Sequence, residues 1–191
     1  MIHPIAQESK ASIEKEDLNI FLRSIQPYKL KTILEIGTWK GHSAQVWIET
    51  FHPDIFITIE KDKEHDDSVV FENPNYHYMW QTDSQSDKTL EKVKNIVGER
   101  QIEYLFIDAA HTYADVRRDF ELYSPLVKDG GYIAFHDILY IDKNCQVKTL
   151  WEQLKRKYYY VECNIGTGST GFGFIRWGNY DTTVAQKTLT L

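Results

Sequence analysis

Apolar positions along this chain switch repeatedly between helical and strand-like spacing, and the switching predicts its architecture. Ile13, Leu18, Phe21, Leu22 and Ile25 recur near the helical period and Pro27 closes the helix they define, so 12–30 reads as an N-terminal helix behind a loose, aperiodic arm over 1–11. Thr32–Ile36 then reads as a strand, and Ala44, Trp47, Ile48 and Phe51 as one face of a helix stopped by His52-Pro53. Ile55–Ile59 is a second strand, rich in β-branched residues, and 62–72 is a weak, polar helix. Tyr76–Trp80, Tyr104–Ile107 and Tyr132–Phe135 are three further strands. Leu90, Val93 and Val97 line a helix ending at Gly98, and Val116, Phe120 and Tyr123 mark another. Asp129-Gly130-Gly131 reads as a turn before the fifth strand, and Val147, Leu150, Trp151, Leu154 and Tyr158 give the clearest helical stripe in the chain. Tyr158–Glu162 and Phe172–Arg176 follow as two strands joined by the glycine-rich Gly166–Gly171, with a peripheral tail after Trp177. Five βα units followed by two successive strands predict a single α/β domain over 1–191 with its core at 31–177. Its sheet is mostly parallel and seven-stranded, with right-handed crossovers, helices on both faces and a C-terminal antiparallel hairpin.

The composition narrows the class of partner. With 191 residues, 42% of them hydrophobic, the chain is large enough to bury a core of its own. A net charge of -6 gives no support for a nucleic-acid partner, which leaves a basic footprint. Cys145 and Cys163 are the only cysteines; they lack metal-ligand spacing and read as unpaired thiols in a reducing compartment, so a cytoplasmic location is expected. Met1-Ile2-His3-Pro4 carries no secretory pattern, and no apolar run approaches the roughly 20 residues of a membrane span.

The chemistry concentrates at the ends of the predicted strands. In Ile33-Leu34-Glu35-Ile36-Gly37-Thr38-Trp39-Lys40-Gly41-His42-Ser43 a buried strand ends in a glycine-bracketed turn that opens a helix, the arrangement that delivers backbone to a cofactor at a sheet edge. A dinucleotide fingerprint needs a glycine where Trp39 stands, so backbone can approach a pyrophosphate. The turn therefore suits a nucleoside cofactor without phosphate, and S-adenosylmethionine is the candidate, with Gly37, Thr38, Gly41 and Ser43 as its cradle. Glu60 ends the second strand, where a carboxylate can accept both ribose hydroxyls. Asp83 and Ser84, after the third strand, can reach an adenine or cap a helix. Glu35 orders the glycine turn or holds the cofactor amino group, because an acid ending a buried strand needs a partner. Asp108 and His111 follow the fourth strand, and His136 and Asp137 the fifth.

At this point the segment 33–137 resembles a class I S-adenosylmethionine-dependent methyltransferase, with the Rossmann-like fold of that class. Leu105-Phe106-Ile107-Asp108-Ala109-Ala110-His111-Thr112-Tyr113 continues through Val116, Asp119, Pro125-Leu126 and Gly130-Gly131 to His136-Asp137. This is similar to a branch of small-molecule O-methyltransferases acting on sugars and macrolide glycosides, which includes proteins labelled cephalosporin-hydroxylase-like. The resemblance implies methyl transfer to a hydroxylated small molecule such as a sugar or glycoside. Members with a magnesium site often carry Glu-Asp where this chain has His136-Asp137, a departure that bears on whether a metal is held and on which.

If Asp108 and Asp137 end neighbouring strands, their carboxylates repel unless protonated, hydrogen-bonded or bridged by a cation. A hard ion, Mg2+ or Mn2+, on Asp108, Asp137 and His136 resolves this, and would hold a substrate hydroxyl in line with the cofactor methyl. His111, with an intrinsic pKa near 6.5, is the expected general base beside Asp108. His136 reads equally as a ligand or as a structural histidine, because it and Asp137 point to opposite sides of a strand.

Three rival readings stand beside this one. A non-haem iron hydroxylase or oxygenase would use Asp108, His111, His136 and Asp137. A binding module would keep the S-adenosylmethionine pocket without chemistry, and the acidic balance weighs against a nucleic-acid methyltransferase. The expected partners are a small-molecule substrate, neither nucleic acid nor membrane, with residues 1–11 and Tyr158-Tyr159-Tyr160 as a lid or a homo-oligomer interface.

Overall fold

The computed structural model describes residues 3–25, 29–62, 71–140, 142–163, 170–178 and 187–188. The alternating runs become α1 (Pro4–Glu8), α2 (Lys15–Ile25), β1 (Thr32–Ile36), α3 (His42–Phe51), β2 (Ile55–Ile59), β3 (Tyr76–Met79) and α4 (Asp87–Val97). They continue as β4 (Ile102–Ile107), α5 (Tyr113–Tyr123), β5 (Val127–His136), α6 (Val147–Leu154), β6 (Tyr160–Cys163), β7 (Phe172–Arg176) and a two-residue β8 (Lys187–Thr188). All eight strands form one sheet in the order β3-β2-β1-β4-β5-β7-β6-β8. β1 to β5 run parallel, and β7 lies antiparallel between β5 and β6. The order reverses between β1 and β4, and in open α/β sheets that reversal opens a crevice at the carboxyl ends of the strands.

Strand residues alternate between two cores, as the period of two requires. Ile33, Tyr104 and Phe106 face α2 and α3, where Phe21, Trp47 and Phe172 fill the space; Leu34, Leu105 and Ile107 face α4 to α6, against Val93, Val116 and Trp151. Phe21 meets Trp47, Phe172 and Phe174 edge-on with centroids 5.5, 4.7 and 5.5 Å away, geometry favoured by the ring quadrupoles. Ser86 caps α4 by accepting from Thr89 N–H, Thr112 caps α5 by accepting from Asp115 N–H, and Gly98 closes α4.

Four expectations change. Residues 4–8 are a short helix packed on α2 and α3 with Ala6 fully buried, so the N-terminal segment is docked and not a loose arm. The Asp129-Gly130-Gly131 turn is absorbed into β5; Gly130, at φ +81, takes up the irregularity while the register against β4 shifts. β8 gives the sheet one strand more than the pattern predicts, because a two-residue pairing with Val161 and Glu162 leaves no periodic signal. Tyr158 lies beyond α6, which ends at Leu154, and the first strand of the C-terminal pair begins at Tyr160. The helix expected over 62–72 falls mainly on 63–70, which with Pro27 and Gly166–Ser169 lies outside the described residues.

Glu35 sits on the aromatic side of β1 with no exposure at all. Its carboxylate accepts from Trp47 Nε1–H at 3.0 Å and from the Thr58 hydroxyl at 2.7 Å, and Thr58 in turn contacts the hydroxyl of Thr38 on the glycine turn. Burial pushes this carboxyl up to about 7, against the lowering pull of hydrogen bonds from Thr58, Ser43 and Trp47. A carboxyl raised on folding contributes stability fully below its unfolded value near 4.5 and loses it as pH rises through about 7. Unfolding free energy is therefore expected to fall between pH 5 and pH 8 by on the order of 3 kcal/mol from this group. Urea denaturation of Glu35→Gln across that range checks it: the fall should largely vanish, and an unchanged slope would reassign the dependence to other groups.

Candidate functional site

The strand order reversal produces a cleft of about 560 Å³ at the carboxyl edge of the sheet. Its floor is the turn after β1. Gly37 adopts φ +90, and its N–H donates to Ile59 O at 2.9 Å. A Cβ on Gly37 would stand 2.0 Å from Asp108 O, so only glycine lets the β1 turn lie against the end of β4. Trp39 follows at φ +45, half exposed at the cleft, and Gly41, at φ +83, opens α3. Glu60, buried at the end of β2, accepts from Trp39 N–H and from Asp62 N–H at 2.8 Å. A carboxylate offers about four lone-pair sites, so each Glu60 oxygen keeps capacity for a ligand hydroxyl.

The opposite wall comes from the turn after β3. Asp83, Ser84 and Gln85 line it, and Asp83 accepts from Gln85 N–H at 3.0 Å. The cap of α4 is Ser86, so Ser84 is free of that duty; its hydroxyl donates to Asp119 at 2.7 Å instead. Asp119 is nearly fully buried and lines the cleft from α5, and burial pushes its carboxyl up to about 6 against hydrogen bonds from Ser84 and Gln85. Sequence reasoning gave Asp119 no role. An acid on the apolar side of an otherwise amphipathic helix was the available signal.

The expected cofactor residues do not all reach this cleft. Thr38 and Ser43 line a small niche of about 40 Å³ that shares Ser12, Gly37, Trp39 and Asp108 with the main cleft. Gly41 lines neither space. Glu35 lines neither as well: it lies under α3, hydrogen-bonded to Trp47 and Thr58. Ser12, between α1 and α2, lines both spaces, a role hidden while that segment read as a loose arm.

At the ends of β4 and β5 the four expected residues do meet. His111 Nε2 lies 2.7 Å from Asp137 Oδ2 and 3.7 Å from Asp108 Oδ1. His136 Nδ1 lies 3.4 Å from Asp108 Oδ1, and its Nε2 is 2.9 Å from the Thr170 hydroxyl. Asp137 holds φ +60, a left-handed backbone that costs roughly 1–2 kcal/mol in a non-glycine residue; such strain clusters at functional sites. Burial pushes Asp108 up, but hydrogen bonds from His111 and His136, with their charge, outweigh it and hold the carboxyl below its ordinary value. Hydrogen bonds to Asp108 and Asp137 push His111 up to about 10 despite its partial burial. With no ion bound, this favours the protonated form of His111, a cation between two acids.

Ligand atoms of Asp108, His111 and Asp137 all lie within 4.8 Å of one another. Two carboxylates and an imidazole nitrogen, converging and already needing a positive charge between them, fit a divalent cation. The set differs from the expected one. His111 belongs to it, whereas His136 is buried behind it with its ring nitrogens turned to Asp108 and Thr170.

A family model described as a methyltransferase domain matches residues 34–138, from β1 through the strained Asp137. The chain belongs to this methyltransferase family. Its match spans the glycine turn, Glu60, the Asp83 wall and the Asp108–Asp137 cluster together. No curated protein matches this methyltransferase in sequence. Among solved structures it is similar to the O-methyltransferase TomG from Streptomyces achromogenes, which is involved in tomaymycin synthesis and was solved with SAM. Identity is 19%, the TM-score 0.65, and the match covers 88% of this chain and 82% of that one. An O-methyltransferase from Bacillus cereus in complex with SAH matches at 16% identity and TM-score 0.62, covering 89% and 84%. MycE, from the mycinamycin biosynthetic pathway and complexed with Mg, SAH and mycinamycin VI, matches at 17% identity and TM-score 0.59. That match covers 82% of this chain but 48% of MycE. At these identities the likeness is one of fold. No helix among the described residues is long and apolar enough to cross a membrane.

Two outcomes follow from the geometry. Gly37→Ala should lower the denaturation midpoint far more than Gly98→Ala. Both positions carry a positive φ, costing ~1–2 kcal/mol, but a Cβ at Gly98 meets nothing within 4 Å; equal losses would contradict the close approach at Asp108. The second concerns His111, whose raised pKa contributes stability fully below its unfolded value near 6.5 and loses it as pH rises through about 10. The gap in melting temperature between the parent protein and His111→Asn should be widest at pH 6 and close by pH 10. A gap that grows with pH would mean the ion pair is not what His111 contributes.

Proposed function

We propose that this methyltransferase transfers a methyl group from S-adenosylmethionine to a hydroxyl oxygen of a small molecule, with a divalent ion, Mg2+ or Mn2+, at the reaction centre. The observation that carries the reading is one cleft with two chemically different ends: Glu60 and the Gly37 turn at one, and Asp108, His111 and Asp137 at the other. The cofactor would supply an electrophilic methyl on a sulfonium, and an ion held by these residues would lower the pKa of an acceptor hydroxyl. Asp108, His111 and Asp137 would hold the ion. Glu60 would take the ribose hydroxyls on the lone pairs left by Trp39 and Asp62, and Asp83 and Ser84 would edge the adenine. Thr38 and Ser43 would bound the amino-acid end in their niche.

The acceptor hydroxyl must shed one proton as its oxygen gains the methyl. An imidazole nitrogen that ligates a cation is unprotonated, so the ion, when bound, would replace the His111 proton, and the hydroxyl proton would leave to solvent past His111, whose side chain is 41% exposed. Asp83, Asp115 and Asp119 add further negative charge to the cleft walls. That disfavours phosphate-bearing acceptors such as nucleic acid. A non-haem iron oxygenase fits less well, because its facial triad takes two histidines and one carboxylate, and the converging set here is one histidine and two carboxylates.

Calorimetric titration of metal-free protein with S-adenosylmethionine, repeated with Mg2+ and with Mn2+, tests the proposal. Micromolar binding is expected, abolished in Glu60→Ala, together with a separate metal heat that is lost in Asp137→Ala. Cofactor binding that survives Glu60→Ala would remove the ribose assignment, and no binding under any condition would remove the proposal.

A further inference from the structure

Asp108 and Asp137 directly follow β4 and β5, so the sheet sets the height of both carboxylates. His111 has no such footing. It stands farther out, on the connection from β4 to α5, behind Ala109 and Ala110, which carry no polar side chain to tie that connection down. Its ring nonetheless meets Asp137 Oδ2 at 2.7 Å across the gap between the two strand ends.

The anchor comes from the β5–α6 side. Gln146 N–H donates to His111 O at 2.7 Å, and Gln146 Oε1 accepts from Tyr113 N–H at 3.1 Å. These two bonds bracket Thr112, the cap of α5. Gln146 stands at the cap position of α6, yet its side chain makes no bond to its own helix. The first N–H groups of a helix have no partner within it, and Gln146 gives its oxygen to the first N–H of α5. Farther along the same face of α6, Gln153 Oε1 accepts from the Tyr113 hydroxyl at 3.0 Å, so α6 grips Tyr113 by main chain and by side chain. The connection that carries Gln146 starts at the other acid, where Tyr140 N–H donates to Asp137 O at 3.3 Å. One segment therefore runs from Asp137 to the backbone of His111.

We infer that Gln146 is a positioning residue for the cation site: by bracketing Thr112 it holds His111 against Asp137 and sets how closely the imidazole meets the two carboxylates. It acts through the His111 backbone and lines no part of the cleft, so the cofactor end lies outside its reach. Its service to an ion rests on the divalent ion proposed above; its placing of His111 does not.

Mn2+ titration of the full chain, followed by electron paramagnetic resonance, tests this in Gln146→Ala and Gln146→Glu. Glutamate keeps an oxygen for Tyr113 N–H and alanine removes it. The bond is exposed, so in the alanine variant water satisfies that N–H without anchoring it, and the fold survives. Mn2+ affinity is expected to fall about tenfold in Gln146→Ala, the lower end of the ~10–100-fold that partners of metal ligands contribute. Gln146→Glu should stay at or above the parent value, and S-adenosylmethionine affinity by calorimetry should be unchanged in both. Equal Mn2+ affinity in Gln146→Ala, a loss shared by Gln146→Glu, or a parallel loss of cofactor affinity would overturn the assignment. If the parent protein binds no Mn2+, the divalent-ion reading falls, and the His111 ring signals in heteronuclear NMR at fixed pH decide the rest. Signals displaced in Gln146→Ala and restored in Gln146→Glu keep the positioning role; any other pattern removes it.

Discussion

The contact on which the rest of the site depends is between two backbones: the Gly37 turn lies so close to Asp108 that no side chain fits between them. Parallel neighbours β1 and β4 end level, with Ile36 opposite Ile107, so their turns compete for the same space. Glycine at a positive φ lets one turn fold under the other. The residue that shapes the cofactor end thereby also fixes the height of Asp108 at the chemical end. Displacement of either turn moves both, which links the two ends of the cleft mechanically as well as by proximity.

Acidic side chains are handled in three ways along this edge, and the remedy separates their roles. Glu60 is satisfied by backbone N–H groups, which leave lone pairs facing the cleft. Glu35 and Asp119 meet neutral donors in buried surroundings, and burial drives both carboxyls up. Asp108 and Asp137 are balanced by His111 and His136, and only there does the balance require a positive charge. One kind of residue thus serves as ligand holder, structural brace and cation site according to what surrounds it.

Much of the fold was legible because its signals are local. The apolar runs at Thr32–Ile36, Ile55–Ile59 and Phe172–Arg176 carry their strand boundaries in their own residues, and the change of period places the intervening helices. The strand-end residues Glu60, Asp108, His111 and Asp137 could be named because topology alone sends strand ends to one rim. What escaped was set by distant partners. α1 packs Ala6 on α2 and α3, and its local signal is only Pro4 in its first turn, too little to announce a helix without those partners. Glu35 turned out to brace the turn because Trp47 and Thr58 approach it from other elements. The converging set takes His111 and not His136, whose ring nitrogens face Asp108 and Thr170, a choice set by contacts between separate loops that the residue types do not encode.

The insertion of β7 between β5 and β6 has a consequence for the order in which the enzyme is made. Thr170, which meets His136, and Phe172, which pairs with the end of β5, are synthesised more than thirty residues after the strand they complete. Contacts so distant in sequence form late, after their loop has closed. A ribosome-bound chain can therefore hold its first four parallel strands and its glycine turn while the histidine–aspartate centre is still unbraced. Ligand pocket and chemical centre mature at different moments, and catalytic competence arrives only with the last core strand.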